Sequence, residues 1–171
     1  MRSFKKLLVY VGNDDGDTLI GRSVILAIEN GASLTLIDVI KPIPKSMHML
    51  TGGTDPKEME RLVSEDHKRR LIEKTSEFAD SHVTIDLVVR CGDPATEITR
   101  EAIRGEHDLV FKTADGFNVT ERVFGSVARS LLRKCPCAVL LLKSPTHGDF
   151  DNIVAPIDAN AEDQPHQQLN Q

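Results

Sequence analysis

The sequence contains no tryptophan, and aromatic residues make up only 4% of its 171 residues. A nucleic-acid reader that stacks bases on aromatic side chains is therefore not expected. Acidic residues outnumber basic ones, 26 to 21, and the net charge of −5 also disfavours a phosphate backbone as partner. No run approaches the roughly 18 consecutive apolar residues that a membrane-spanning helix needs. The first residues carry no apolar signal core, so we expect a soluble, cytoplasmic protein.

Cysteine is also scarce. Cys91 stands alone, whereas Cys135 and Cys137 flank Pro136. So few cysteines fit a reducing compartment better than a disulfide framework. One residue between the two thiols departs from the redox Cys-x-x-Cys spacing, and a second ligand pair for zinc is missing. We interpret this pair as small residues at the passage from a helix into a strand.

Short apolar runs alternate with amphipathic segments along most of the chain, a pattern typical of alternating strands and helices. The predicted strands are 6–11, 33–40, 83–90, 107–112 and 138–143. The predicted helices begin near Asp17, cover 56–80, follow Asp93 and Pro94, and cover roughly 124–134. Strands joined by helices form a parallel sheet with helices on both faces, so we predict an α/β fold with an open five-stranded sheet. Such sheets bind ligands outside the carboxyl ends of their strands, where the strand order reverses.

Residues for catalysis or metal binding are not grouped in the sequence. No nucleophile has an evident base beside it, and the Gly-x-Ser-x-Gly elbow is missing. The six histidines, His107 among them, are scattered, and we expect them to be surface residues. An acidic turn at Asp14, Asp15 and Asp17 fits Mg²⁺ bound with phosphates or, more simply, capping of the next helix. We therefore expect no catalytic residues and no metal site.

Residues 150–160 align without a gap on residues 4–14, 146 positions earlier in the chain. Both stretches run from polar residues through an apolar run to turn residues. This repeat predicts one domain at 1–143, a linker at 144–151, and the truncated start of a second copy at 152–171. A disordered tail with a chance apolar patch is the alternative.

Four segments resemble the universal stress protein family, and in particular the N-terminal half of its E-type tandem members. They are the first strand, residues 34–39, residues 92–95 and residues 124–139. The last is the most specific, because a glycine and a hydroxyl residue precede a helix and Cys-Pro precedes the final strand. The resemblance implies a Rossmann-like sheet with strand order 3-2-1-4-5 and a stress-response regulator that is not an enzyme. It also implies pairing through strand five, as a homodimer or with a second domain of the same kind.

ATP-binding members of that family share a Gly-x-x-Gly pair followed further along by Gly-Ser or Gly-Thr. Glycines let backbone N–H groups approach phosphate, and the last pair opens a helix whose N-terminus favours anions. Gly125 and Ser126 match the end of the pattern, but Lys112 and Asp115 stand where the two earlier glycines are expected. Gly12 stands where the resemblance places an aspartate that meets the sugar of the nucleotide.

The substitutions at the two glycine positions act in opposite directions. Lys112 attracts phosphate, whereas an ionised Asp115 repels it by about 1 to 4 kcal/mol at contact distance. We expect the two side chains to form a local ion pair that fills the pocket. The remnant of the cofactor site, as the resemblance implies it, consists of Val39, Gly125, Ser126 and Val127.

The sequence therefore predicts an interaction module with a degenerate nucleotide site and no certain cofactor. The alternative is a protein that binds ATP with Mg²⁺, or a small apolar ligand, between strands one and four. Phe111, Phe117 and Phe124 lie around that position, although they fit the core more simply. In the second copy, Pro156 and Asp158 fit the family's first-strand pattern better than Tyr10 and Gly12 do. We accordingly expect any ligand site to lie in the second half of a longer protein.

Overall fold

Five parallel strands form one sheet in the order β3-β2-β1-β4-β5 in the computed structural model, which describes residues 4–12, 16–44, 55–114 and 125–142. The strands are β1 Lys6–Tyr10, β2 Ser33–Ile40, β3 Ile85–Cys91, β4 Leu109–Thr113 and β5 Ala138–Leu142. Every neighbouring pair is parallel. The predicted fold class and the strand order implied by the resemblance are both confirmed.

The helices cover both faces of the sheet, as predicted. They are α1 Gly16–Asn30, α2 Pro56–Thr75, α3 Pro94–Arg104 and α4 Ser126–Lys134. One core cluster joins a sheet face to α1 and α2 through residues such as Leu19 and Leu71. A second cluster joins the opposite face to α3 and α4 through Ile98 and Leu131. The central strands β1, β2 and β4 are rich in apolar residues because both of their faces are buried.

Several element boundaries differ from the prediction, β3 for example covering Ile85–Cys91 instead of 83–90, and two of the differences have local reasons. The helix predicted over 56–80 ends at Thr75 and continues as a short 3-10 helix, Ser76–Ser81. The strand predicted from 107 begins at Leu109, because the His107 N–H donates to the Ala102 carbonyl oxygen at 2.9 Å instead of joining the sheet.

The predicted linker at 144–151 and the second copy at 152–171 lie outside the described residues, so the domain division remains a prediction. Within the described ranges, no helix combines the length and the apolar character needed to cross a membrane.

Candidate functional site

The strand order reverses between β1 and β4. The chain passes from β1 to β2 on one side of the sheet and later enters β4 on the other side of β1. In open parallel sheets the ligand crevice forms at such a point, outside the carboxyl ends of the strands. We call this margin, at Tyr10 and Thr113, the ligand edge. The helix α4 starts at the same margin because it leads from the carboxyl end of β4 back to the start of β5.

Lys112 lies at the ligand edge with its side chain buried in the protein, at only 2% exposure. Its Nζ donates to the Thr113 carbonyl oxygen at 2.7 Å. The same atom lies 5.5 Å from the centre of the Tyr10 ring, close enough for a cation–π interaction. Tyr10 is also the direct partner of Lys112 in the register of β1 with β4. The ammonium group is thus engaged by protein groups and is not presented to solvent.

The ion pair expected between Lys112 and Asp115 remains a prediction, since Asp115 lies outside the described residues. The burial of Lys112 is nevertheless relevant to the glycine pattern of the ATP-binding members. A glycine at position 112 would leave room for backbone and phosphate to approach, whereas a buried lysine fills that volume.

Gly12 follows β1 at the ligand edge with φ +58°, in the left-handed region that favours glycine. A Cβ atom built there would lie 3.3 Å from the Tyr10 ring. An aspartate, which the family resemblance expects here, would therefore meet both backbone strain and a crowded ring.

The remnant residues at the start of α4 form a helix N-terminus without a side-chain cap. Gly125 is the N-cap, with φ −54° and ψ 160°, and makes no side-chain cap hydrogen bond. Its carbonyl oxygen accepts from the Arg129 N–H at 3.0 Å. Ser126 is exposed, and Val127 packs against the second core cluster. Uncapped first-turn amides and the helix dipole favour an anion.

Val39 lies at the carboxyl end of β2 and is almost fully buried, at 8% exposure. Its N–H donates to Oδ1 of the preceding Asp38 at 2.8 Å. The structure thus holds the four remnant residues on two elements, β2 and the start of α4, and their joint role in binding remains a prediction.

A buried carboxylate–imidazole pair beside Val39 was not foreseen from the sequence. The Asp38 side chain is 9% exposed, and its Oδ2 lies 2.5 Å from Nδ1 of His67 on α2. A buried carboxylate requires hydrogen-bond partners, so an aspartate inside a mainly apolar strand was the available signal. The pair fastens α2 to the end of β2.

His107 corrects the expectation that the histidines are surface residues. It is 9% exposed and lies before β4, at the amino end of the sheet. Its Nδ1 is 3.2 Å from the Glu101 carbonyl oxygen, and its Nε2 is 3.0 Å from Thr35 Oγ1. Burial lowers the pKa of this imidazole. The arrangement fits a neutral ring with Nδ1–H donating and Nε2 accepting.

Phe111 is fully buried in the first core cluster, which confirms its interpretation as core. Phe117 and Phe124 lie outside the described residues, as do Asp14 and Asp15. Asp17 accepts a hydrogen bond from Lys74 of α2. Across the described ranges, no three potential ligands group as a metal site would require.

The chain resembles known proteins both in sequence and in fold. The profile of the universal stress protein family matches residues 3–143. Universal stress protein E of Photorhabdus laumondii is 25% identical over 173 residues, which is 99% of this chain and 55% of that protein. This chain therefore spans about half the length of that relative. A Staphylococcus aureus (strain USA300) protein with a universal stress protein name is 27% identical over 91% of this chain and 94% of its own length.

Solved structures show the same fold. Universal stress protein UspA from Lactobacillus plantarum superposes with a TM-score of 0.68 at 21% identity, covering 83% of this chain and 99% of that one. The universal stress protein from Archaeoglobus fulgidus in complex with dAMP gives a TM-score of 0.58 at 16% identity, covering 83% and 100%. With the family profile spanning most of the sequence, this chain belongs to the universal stress protein family.

Proposed function

We propose that this chain is a non-enzymatic regulatory or protein-interaction module whose nucleotide site no longer seats ATP in the family manner. The observation that carries the proposal is the buried Lys112. Its stem fills the place of a pattern glycine, and its charge is engaged by the Thr113 carbonyl oxygen and the Tyr10 ring. Rebuilding a phosphate cradle there requires this side chain to leave its partners and become solvated or ligand-bound.

The second departure from the pattern supports the same proposal. Gly12 adopts a left-handed conformation against Tyr10, so the position cannot readily carry the sugar-binding aspartate. Both changes lie at the ligand edge, one at the end of each strand that flanks the crevice. They would impair contacts to the sugar and to the phosphates together.

A nucleotide-binding function is the alternative, and one observation favours it. The uncapped N-terminus of α4 favours an anion, and an open groove along the outer face of this helix is rich in basic groups. The groove is lined by Ser126, Arg129, Ser130, Leu132, Arg133 and Lys134. The relative in complex with dAMP shows that one protein of this fold holds an adenine nucleotide.

Calorimetric titration of the chain with ATP and Mg²⁺ separates the two proposals. We expect a Kd weaker than about 1 mM, corresponding to less than about 4 kcal/mol of binding free energy. Lys112→Met, which keeps the volume but removes the charge, is expected to be equally weak. A micromolar Kd that is lost in Lys112→Met would show that Lys112 belongs to a rebuilt cradle, and would contradict the proposal. A micromolar Kd retained in that variant would assign binding to the start of α4, and would also contradict it.

We further propose that the chain is the N-terminal half of an E-type tandem protein and pairs through β5. Two observations support this: Universal stress protein E is about twice as long as this chain, and β5 forms one margin of the described sheet. A strand at the margin of a sheet leaves backbone groups open for pairing with another chain or domain. Sequencing the full transcript tests the tandem arrangement, since a gene ending at residue 171 would contradict it.

A further inference from the structure

Cys135 and Cys137 lie at the amino end of β5. The ligand edge lies at the other end of the strands. Cys135 is the C-cap of α4 and Cys137 immediately precedes β5. Their Sγ atoms are 3.5 Å apart. Both side chains are half-buried and pack against the second core cluster. The sequence alone had indicated only small residues at a helix-to-strand passage.

Local backbone geometry explains why the two thiols meet. The ring of Pro136 disfavours a helical conformation at the residue before it, and Cys135 accordingly adopts φ −70° and ψ 131°. The chain then bends at Pro136 and Cys137, and this bend brings the Cys137 side chain back toward that of Cys135. The segment is held at both ends, since the Cys135 N–H donates to the Leu131 carbonyl oxygen at 2.8 Å and Ala138 pairs in register with Leu109.

We propose that Cys135 and Cys137 form a redox-active dithiol that exchanges with small disulfides, such as glutathione disulfide, and closes to an intramolecular disulfide. This inference is independent of the proposed function, because it concerns the opposite end of the sheet. The hydrogen bond from Cys137 lowers the pKa of the Cys135 thiol to about 7, which makes Cys135 the attacking sulfur. The same hydrogen bond, together with burial, raises the pKa of the Cys137 thiol and keeps it protonated at first.

The reaction balances in two displacements. The Cys135 thiolate attacks one sulfur of glutathione disulfide, forming a mixed disulfide and releasing one glutathione thiolate. The Cys137 thiol then loses its proton to solvent and attacks Cys135 Sγ, releasing the second glutathione thiolate. The hydrogen bond that had raised the pKa of Cys137 no longer exists once Cys135 is in the mixed disulfide. Two electrons pass from the protein to glutathione disulfide, and the two released thiolates take up the two protons.

Intact-mass measurement after incubation with glutathione disulfide tests the proposal, in the full chain carrying Cys91→Ser. We expect the protein to lose two hydrogen atoms and retain no glutathione. Adding Cys137→Ser should trap one stable glutathione adduct on Cys135, and adding Cys135→Ser instead should greatly slow any adduct. A matched control, Cys135→Ser with Cys137→Ser, keeps only Cys91, whose thiol pKa is raised by burial. At about pH 7, Cys135 should react about fivefold faster than Cys91 or more, after the lower nucleophilicity of a low-pKa thiolate is allowed for.

A second measurement on the Cys91→Ser chain needs no change at the dithiol. Phenylarsine oxide bridges two neighbouring thiols with loss of one water, and we expect one such adduct that blocks disulfide formation. Two retained glutathiones, a disulfide between two chains, or failure to react with either reagent would overturn the proposal. Circular dichroism of each variant separates loss of the dithiol from loss of the fold.

Discussion

Gly12 and Gly31 share the same backbone conformation, with φ +58° at each, but differ in their surroundings. An added Cβ meets the Tyr10 ring at 3.3 Å at Gly12, whereas nothing lies within 4 Å at Gly31. We expect Gly31→Ala to lower the free energy of unfolding by about 1 to 2 kcal/mol, the cost of the left-handed conformation. Gly12→Ala should cost about 1 kcal/mol more, because the ring must also move. Urea denaturation measures both, and equal losses would show that the ring yields freely.

His107 makes the stability of the fold depend on pH. Burial lowers its pKa in the folded protein, so the unfolded chain takes up a proton first as the pH falls. The stabilisation from the neutral ring is complete above the ordinary histidine pKa, about 6.5, and is lost as the pH falls below that value toward the folded pKa.

Substitution of His107 isolates this contribution. We expect His107→Gln to lower the free energy of unfolding by about 1 to 3 kcal/mol at neutral pH, since two buried hydrogen bonds are disturbed. It should also flatten the pH dependence of the unfolding free energy below about pH 6.5. The control His82→Asn, at an exposed position, should keep the slope of the wild-type curve. An unchanged slope in His107→Gln would show that another group is responsible.

Two residues at the carboxyl ends of the strands show where sequence reasoning stops. The sequence shows that Lys112 departs from the ATP pattern, but its burial beside Tyr10 depends on the register of β1 with β4. Asp38 was treated only as part of a strand, because its partner His67 lies 29 residues away on α2. Composition and spacing describe neighbours in the chain, whereas both arrangements depend on neighbours in space.

At the scale of the elements, the N-caps offer a matched comparison. Asp93 caps α3 and accepts hydrogen bonds from both the N–H and the hydroxyl of Thr96, at 3.0 and 2.8 Å. Asp55 caps α2 and accepts one bond, from the Lys57 N–H at 3.1 Å. We expect Asp93→Ala to lower the free energy of unfolding by about 1 to 2 kcal/mol and Asp55→Ala by about 0.5 to 1 kcal/mol, as measured with urea. Equal losses would show that the second hydrogen bond adds nothing, and the reverse order would contradict the prediction.

The cap on α3 should also weaken in acid. Hydrogen bonds from Thr96 hold the pKa of Asp93 below its ordinary value. The stabilisation is therefore present above the unfolded pKa, about 3.9, and is lost as the pH falls through the lower folded value. The Asp93→Asn variant, which retains an accepting oxygen but does not titrate, should not show this loss.

The elements themselves were predictable where one local signal dominated. The bounds of β2 are the predicted ones, because a mainly apolar run lies between Gly31 and the Lys41-Pro42 pair that follows Ile40. Asp93 and Pro94 likewise fixed the start of α3. The start of β4 was predicted two residues early, because the His107 N–H donates back to the Ala102 carbonyl oxygen of α3 instead of joining the sheet. That hydrogen bond belongs to the end of α3, and the apolar pattern of the strand does not indicate it.

At the scale of the whole molecule, the regular alternation of strands and helices fixed the fold class, because parallel strands need a crossover that covers the sheet. The resemblance supplied the strand order, and the order in turn located the ligand edge. The chemistry of the ligand edge depends on side chains that pack across β1 and β4, and only the structure shows how these side chains are arranged. The cysteine pair lies at the amino ends of the strands, away from the ligand edge. Its proposed oxidation and any ligand binding would therefore take place at opposite ends of one sheet.

β5 is an edge strand of the described sheet, and this leads to a prediction about assembly. Leu141 is half-buried and belongs to neither core cluster, whereas its neighbour Leu142 is buried in the first. If β5 pairs with a second copy, Leu141→Lys places a charge at the contact. A two-fold axis brings the two substituted lysines together, and they repel each other. We expect the dimer dissociation constant to rise about tenfold, equivalent to about 1.4 kcal/mol. Sedimentation equilibrium measures this, with Ile103→Lys, on an exposed position of α3, as a control that leaves the constant unchanged. A wild-type chain that stays monomeric would contradict pairing between copies, and equal weakening by both variants would place the contact elsewhere.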